Sequence, residues 1–307
     1  MSDPAARALA YVRGLGAAGD LPVPGARITV CFHPDRLLAD GRTVAEHLAR
    51  DRVYRSQFET GISNGGLTAY AGGDRERWER RMFAGAYPKE LVSGRPVYGG
   101  LNLAGHLDGA SPRFGSCHLV LRPEVNARAT FSHGDSVTEP TVVGTADTFG
   151  GIWAALLEQV TRTGSALGLA ADNPQAWVAA LTGPRTSAGR ALDDYVEAQI
   201  HGGVDLDADV EAVVADPSFT GTPTAAHLAQ LAPLRHHPGF VLAAADFPDD
   251  LRGPEAAALA RSLGPPLIDA AVIGHAARQA RDAETLQLCK YLWHILVLLG
   301  RPPAPTG

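Results

Sequence analysis

Cysteine is scarce in this 307-residue chain: Cys31, Cys117 and Cys289 stand far apart, and no two make a Cys-x-x-Cys spacing. Three scattered thiols exclude a zinc knuckle and a disulfide framework, and a reducing, cytoplasmic setting is the expectation. Lysine is nearly missing as well. Only Lys89 and Lys290 accompany the arginines among 27 basic residues, set against 33 acidic ones, and the net charge of −6 argues against a nucleic-acid grip built on bulk electrostatics. No leader of basic then apolar residues opens the chain. The apolar run 292–299 is interrupted by His294 and falls well short of the ~20 residues a membrane helix needs, so a soluble protein is expected.

Several chemical signatures are also absent. No Gly-x-Gly-x-x-Gly or Walker loop occurs between a strand and a helix, which removes a Rossmann or P-loop nucleotide site. No histidines stand at His-x-His or His-x-x-x-His spacing, and the adjacent His236 and His237 would diverge on a helix, so no metal site is expected. Ser116 in Phe-Gly-Ser-Cys lacks the Gly-x-Ser-x-Gly elbow of an α/β-hydrolase nucleophile.

What is present is an ordinary globular balance, 45% hydrophobic and 20% charged, with enough length for one substantial core. The pattern divides into an N-terminal helical extension (1–25), an α+β part (26–216), a helical C-terminal subdomain (217–300) and a flexible tail (301–307). Ile28 to Phe32 reads as a strand that Pro34 stops, because proline has no N–H for the ladder. His33, Asp35 and Arg36 then sit at its end. Thr43 followed by Glu46 is a capping box that opens a helix to about Arg52. Segment 54–66, Tyr-Arg-Ser-Gln-Phe-Glu-Thr-Gly-Ile-Ser-Asn-Gly-Gly, is too rich in turn formers for a regular element and reads as a binding loop. A charged helix capped by Asp74 carries the apolar stripe Trp78, Met82 and Phe83. Strands are expected at 95–103, 114–122 and 129–131, an amphipathic helix at 148–163, and helices at 223–233, 254–263, 266–282 and 284–299.

The stretch 195–201 alternates cleanly. Tyr195, Glu197, Gln199 and His201 fall on one face of a strand; Val196, Ala198 and Ile200 fall on the other. Two readings fit this pattern: an edge strand with a solvated polar face, or the floor of a cleft that presents Glu197. Four patches are dense in polar chemistry: His33 with Arg36, the 54–66 loop, the turn Ser132-His-Gly-Asp-Ser136, and the Glu197 strand. Enzymes that transfer ADP-ribose from NAD need such a set in this order. A His or basic residue ends an early strand, a hydroxyl-rich motif follows, and a late strand supplies a Glu for the oxocarbenium-like transition state.

The strings Phe-His-Pro-Asp-Arg36, the 54–66 loop, Arg95-Pro-Val-Tyr-Gly99, Arg113-Phe-Gly-Ser-Cys117, Thr130-Phe-Ser-His-Gly-Asp-Ser136 and Tyr195-Val-Glu-Ala-Gln-Ile-His-Gly202 resemble the bacterial domain of unknown function numbered 3626, over roughly 26–275. More distantly, the layout is similar to the ADP-ribosyltransferase fold. That resemblance implies an α+β protein with a mixed, split sheet and a helical C-terminal subdomain, and NAD as co-substrate with an unidentified acceptor. It implies Glu197 as the catalytic carboxylate and Gln199 as its companion. His33 or Arg36 would hold the ribose or phosphate, and Ser63 would be the middle hydroxyl, with Ser56, Tyr98 and Ser116 as rivals. Arg55, His133 and Asp135 complete the expected cofactor contacts. Two alternatives remain open: a nucleotide- or protein-binding module on the same fold, and a hydrolase that uses His133 and Asp135.

Overall fold

The computed structural model describes residues 3–62, 68–183, 185 and 192–304. Helix α1 (Pro4–Leu15) starts on Asp3, whose carboxylate accepts the Ala5 N–H at 3.2 Å. Strand β1 (Ile28–Phe32) is wholly buried, and α2 (Val44–Asp51) follows it behind the Thr43–Glu46 capping box. Helix α3 (Asp74–Met82) begins at Asp74 itself, with Gly73 as the cap. Its Trp78 and Met82, with Phe83 just beyond, pack against Ala8 and Val12 of α1 in a small core of their own. The N-terminal helix is thereby docked by an apolar stripe.

The other strands of the main sheet are β2 (Val97–Leu101), β3 (Cys117–Leu121), β4 (Ala129–His133), β5 (Val143–Thr145), β6 (Val196–Ile200), β7 (Val210–Ala215) and β8 (Leu234–His236). They join β1 in one eight-stranded sheet of order β8-β7-β3-β1-β2-β6-β4-β5. Only β7 and β8 run parallel, so the sheet is mixed. The protein is α+β. The helix expected at 223–233 stops at Leu228, and the chain then re-enters the sheet as β8 beside β7. Helix α4 (Gly150–Thr163) buries Ile152, Leu156 and Val160. The C-terminal helices are α5 (Pro254–Ser262), α6 (Ala270–Gln279) and α7 (Ala283–Leu299). Ile273, Leu292, Trp293 and Leu296 from this cover share one core with the strands. No helix among the described residues is long and apolar enough to cross a membrane.

The sheet is forked. Strands β1 and β2 pair only at Ile28–Leu101 and Thr29–Gly100. Beyond that point β1 runs on against β3 as far as Phe32–Cys117, while β2 runs against β6 as far as Val97–Ile200. Gly99 stands where the prongs part. A Cβ at Gly99 would lie 2.6 Å from the Thr29 carbonyl oxygen, so this approach requires glycine.

Candidate active site

The fork holds a cleft of about 1060 Å³ counted to its open mouth. One prong contributes Cys31, Phe32 and His33; the other contributes Val97, Tyr98 and Gly99. Glu197 forms part of the floor. It is central, not peripheral, because β6 lies between β2 and β4. All of Tyr195 to His201 is buried. The edge-strand alternative is therefore excluded: the polar face of β6 is turned inward and its partners are protein atoms.

Those partners are specific. Glu197 Oε1 accepts from Gln199 Nε2 at 3.0 Å. Its Oε2 accepts from the Ser136 backbone N–H at 3.3 Å, the Ser136 hydroxyl at 3.1 Å and the Tyr195 hydroxyl at 3.4 Å. Tyr195 also donates to Asp135 at 3.0 Å. Desolvation pushes the Glu197 carboxyl up to about 7, the Asp135 charge adds to this, and Arg75 and the Gln199 and Ser136 hydrogen bonds oppose it. A carboxylate that titrates near neutrality serves in either protonation state.

Behind Gln199 a buried chain of hydrogen bonds runs in one direction. Thr130 donates to Gln199 Oε1 at 2.8 Å, so the Thr130 oxygen is left to accept from His201 Nε2 at 3.1 Å. His201 Nδ1 then accepts from the Tyr87 hydroxyl at 2.6 Å. Burial pushes the His201 imidazole down to about 3, with Arg128 assisting, so a neutral ring fits this assignment. Every donor in the chain points toward Glu197, and the Gln199 amide has one orientation.

Arg75 covers the site from α3. Its guanidinium donates to the Ser136 hydroxyl at 2.5 Å and stacks 4.0 Å above the Tyr98 ring, while its Nε has no hydrogen-bond partner. Tyr98 donates to Glu79 at 2.9 Å, and Glu79 is held by the fully buried Arg95 at 2.5 Å. His33 presents a neutral imidazole: burial, then Arg36 and Lys290, push it down to about 3. Its ring meets Trp293 edge-on at 5.6 Å. Half-buried Arg36 makes no side-chain hydrogen bond or ion pair with the described residues, and desolvation holds its pKa below the usual value. Arg55, on the rim, pairs with Asp51. Burial pushes the Cys31 thiol up to about 12, which removes it as a nucleophile.

Of the residues expected from sequence, Glu197, His33, Arg36, Arg55, Tyr98 and Asp135 line this cleft, and Gln199 supports Glu197 from below. Ser63 lies outside the described residues. Ser56 also lines the cleft, but its hydroxyl donates to Glu59 at 2.8 Å in the capping box of a short helix. Ser116 lines a different cleft, behind His33 and Arg36. His133 is not brought to the site. It pairs with Val196, on the opposite face of the sheet from Glu197, and its Nε2 bonds Gln159 of α4 at 3.0 Å. His133 and Asp135 accordingly face different ways, which leaves a His133–Asp135 hydrolase pair without a shared site.

The hydroxyl beside Glu197 belongs to Ser136, which the sequence reading placed in a polar patch without a role; it gave no role to Thr130, Ser132, Arg75 or His201's partner Tyr87 either. Three of these had a signal. Thr130 and Ser132 alternate with Ala129 and Phe131, which puts both hydroxyls on one strand face. Arg75 and Glu79 share the helical face of Trp78 and Met82 at i, i+3, i+4 and i+7 spacing, so they were bound inward with that stripe.

The fold and site thus define an α+β protein with a carboxylate-floored cleft in a forked, mixed sheet. The chain belongs to the family described as protein of unknown function (DUF3626), whose model matches residues 27–299. The match runs past residue 275 and takes in the C-terminal helices. The chain is also 31% identical over 204 residues to the Gene 2 protein of Mycobacterium phage D29. That alignment covers 62% of this chain and 62% of the relative, so it spans less than two thirds of the phage protein.

Proposed function

We propose that the cleft binds NAD and that the protein transfers ADP-ribose to an acceptor, or to water as an NAD glycohydrolase. The reading is carried by one observation: a buried carboxylate, held by fixed donors and titrating near neutrality, forms part of the floor of a cleft with cations at its wall and rim. In the proposed step the bond from ribose C1′ to the nicotinamide nitrogen breaks, and its electron pair leaves with nicotinamide. The ionised Glu197 stabilises the positive charge left on the ribosyl group, and the acceptor oxygen or nitrogen forms the new bond to C1′ as it loses its proton. Gln199 and Ser136 orient Glu197, with Ser136 taking the middle-hydroxyl role expected of Ser63. Neutral His33 hydrogen-bonds a ribose hydroxyl, Tyr98 and Asp135 line the ribosyl end, and Arg36 and Arg55 meet the phosphates. Ser116 and His133 have no part in this scheme.

A second reading has an observation in its favour. Each oxygen of Glu197 already accepts hydrogen bonds from the protein, three of them on Oε2. A carboxylate so fully engaged also suits a binding module in which Glu197 only shapes the floor. Nicotinamide release from NAD, measured for the wild type and Glu197→Gln, separates the two. Transfer or hydrolysis predicts release that the variant loses by ~100-fold or more. NAD-dependent thermal stabilisation without release assigns the binding module. The absence of both would remove NAD from the account.

A further inference from the structure

A second cleft, about 890 Å³ counted to its open mouth, lies between the end of β1 and the C-terminal helices. It shares only His33 and Arg36 with the first, so these two side chains are the wall between them. Much of the lining of the second cleft is apolar, with Phe219, Ala270, Ile273, Ala277 and Leu286. Arg36 from the β1 turn and Lys290 from α7 add two cations to it. Burial and the neighbouring Arg113, Arg252 and Arg36 hold the Lys290 ammonium below its usual pKa. Asp35 also faces this cleft, but its carboxyl is already engaged, by the Thr224 hydroxyl at 2.8 Å and by Arg278 at 3.4 Å. A half-buried guanidinium with no counter-charge among the described residues costs free energy, and a bound anion recovers that cost. A bare inorganic ion would leave the apolar lining wet. A ligand with an apolar body would cover it.

We propose that this second cleft is a binding site in its own right for a small amphipathic anion. The carboxylate or phosphate of the ligand lies between Arg36 and Lys290, and its apolar body lies against Phe219, Ile273 and Leu286. The site shares Arg36 with the proposed NAD cleft but does not reach Glu197, and it does not rest on NAD as substrate.

Calorimetric titration of the full chain with phenyl phosphate, benzoate, inorganic phosphate and benzyl alcohol tests this. Phenyl phosphate or benzoate should bind about tenfold more tightly than inorganic phosphate, and benzyl alcohol should not bind at ~1 mM. The stronger of the two acids identifies which anionic group the site prefers. Lys290→Gln should weaken that binding about tenfold, and Ala277→Phe, which fills the apolar lining, should abolish it. Lys290 and Ala277 line the second cleft alone, so their effects place the ligand there. The proposal is overturned if neither acid binds at ~1 mM, or if binding survives Lys290→Gln unchanged. Should Ala277→Phe fail to fold, Lys290→Gln decides by itself. Nicotinamide release in the absence of phenyl phosphate or benzoate binding would remove this proposal and keep the preceding one; the reverse result would do the opposite.

Discussion

Strand β6 has two buried faces built on opposite principles. Val196, Ala198 and Ile200 pack into apolar core, with Phe131 paired across from Ala198 and stacked edge-on against Phe149 at 5.7 Å. Glu197, Gln199 and His201 are buried just as deeply, yet each polar group is met by a named donor or acceptor. The apolar face gains from area removed from water and has no directional requirement. The polar face survives burial only because its network closes, and each link then fixes the orientation of the next. The difference explains why a functional carboxylate sits here: the face that is costly to bury is also the face held in one geometry.

The sharpest way to break the comparison is on the apolar side. Phe131→Ala should cost about 3–5 kcal/mol of unfolding free energy in a denaturant titration, since a fully buried ring leaves a cavity. A loss under about 1 kcal/mol would mean that this face is not the core it looks to be.

The polar face should betray itself through pH. The folded protein holds the Glu197 proton up to about 7, while the unfolded chain releases it near 4.5. The folded state therefore binds more protons between those values. The contribution of Glu197 is fully present below the lower value and is lost as pH rises through the upper one. Glu197→Gln cannot ionise, so the Tm of the variant minus that of the wild type should grow from about pH 5 to about pH 8, by the equivalent of at most about 3 kcal/mol. A flat difference would return Glu197 to an ordinary solvated state.

The smallest effect concerns a single link. Thr130→Val keeps the shape but leaves Gln199 Oε1 and His201 Nε2 without their partner, at about 1–3 kcal/mol. If the network behaves as one unit, the same change should also shift the pH midpoint of the Glu197 effect, through the freed Gln199 amide. A loss of stability with no such shift would limit Thr130 to local packing.

Much of this arrangement could be read in the chain before folding. Period-two alternation placed Glu197 and Gln199 on one face, Pro34 placed His33 and Arg36 at a strand end, and the Thr43–Glu46 box marked the start of α2. Local signals of this kind act within a few residues and survive in any context. The charged helix was harder. Along Asp74-Arg-Glu-Arg-Trp-Glu-Arg-Arg81 the composition is that of a solvated surface; only the spacing to Trp78 and Met82 sets Arg75 and Glu79 apart from exposed Arg77 and Arg81, and docking then buries them. Ser136 and His133 show the same limit within one turn. One reaches Glu197 and the other Gln159: the pleat of β4 turns His133 to the far face, while Ser136 lies beyond the strand in a short turn that brings it back to Glu197.

By itself, then, the sequence determined most element types, the place of His33 and Arg36 at the end of β1, and the one-face alternation of Glu197 and Gln199 on β6, for these depend on periodicity and residue type. Tertiary structure alone decided that β6 is central, that β1 and β2 part at Gly99 to open a cleft, and that Tyr87, Thr130 and Arg75 converge on Glu197. Those facts depend on pairings between segments up to 114 residues apart. No local pattern encodes a long-range pairing, because its free energy exists only once both partners are in place.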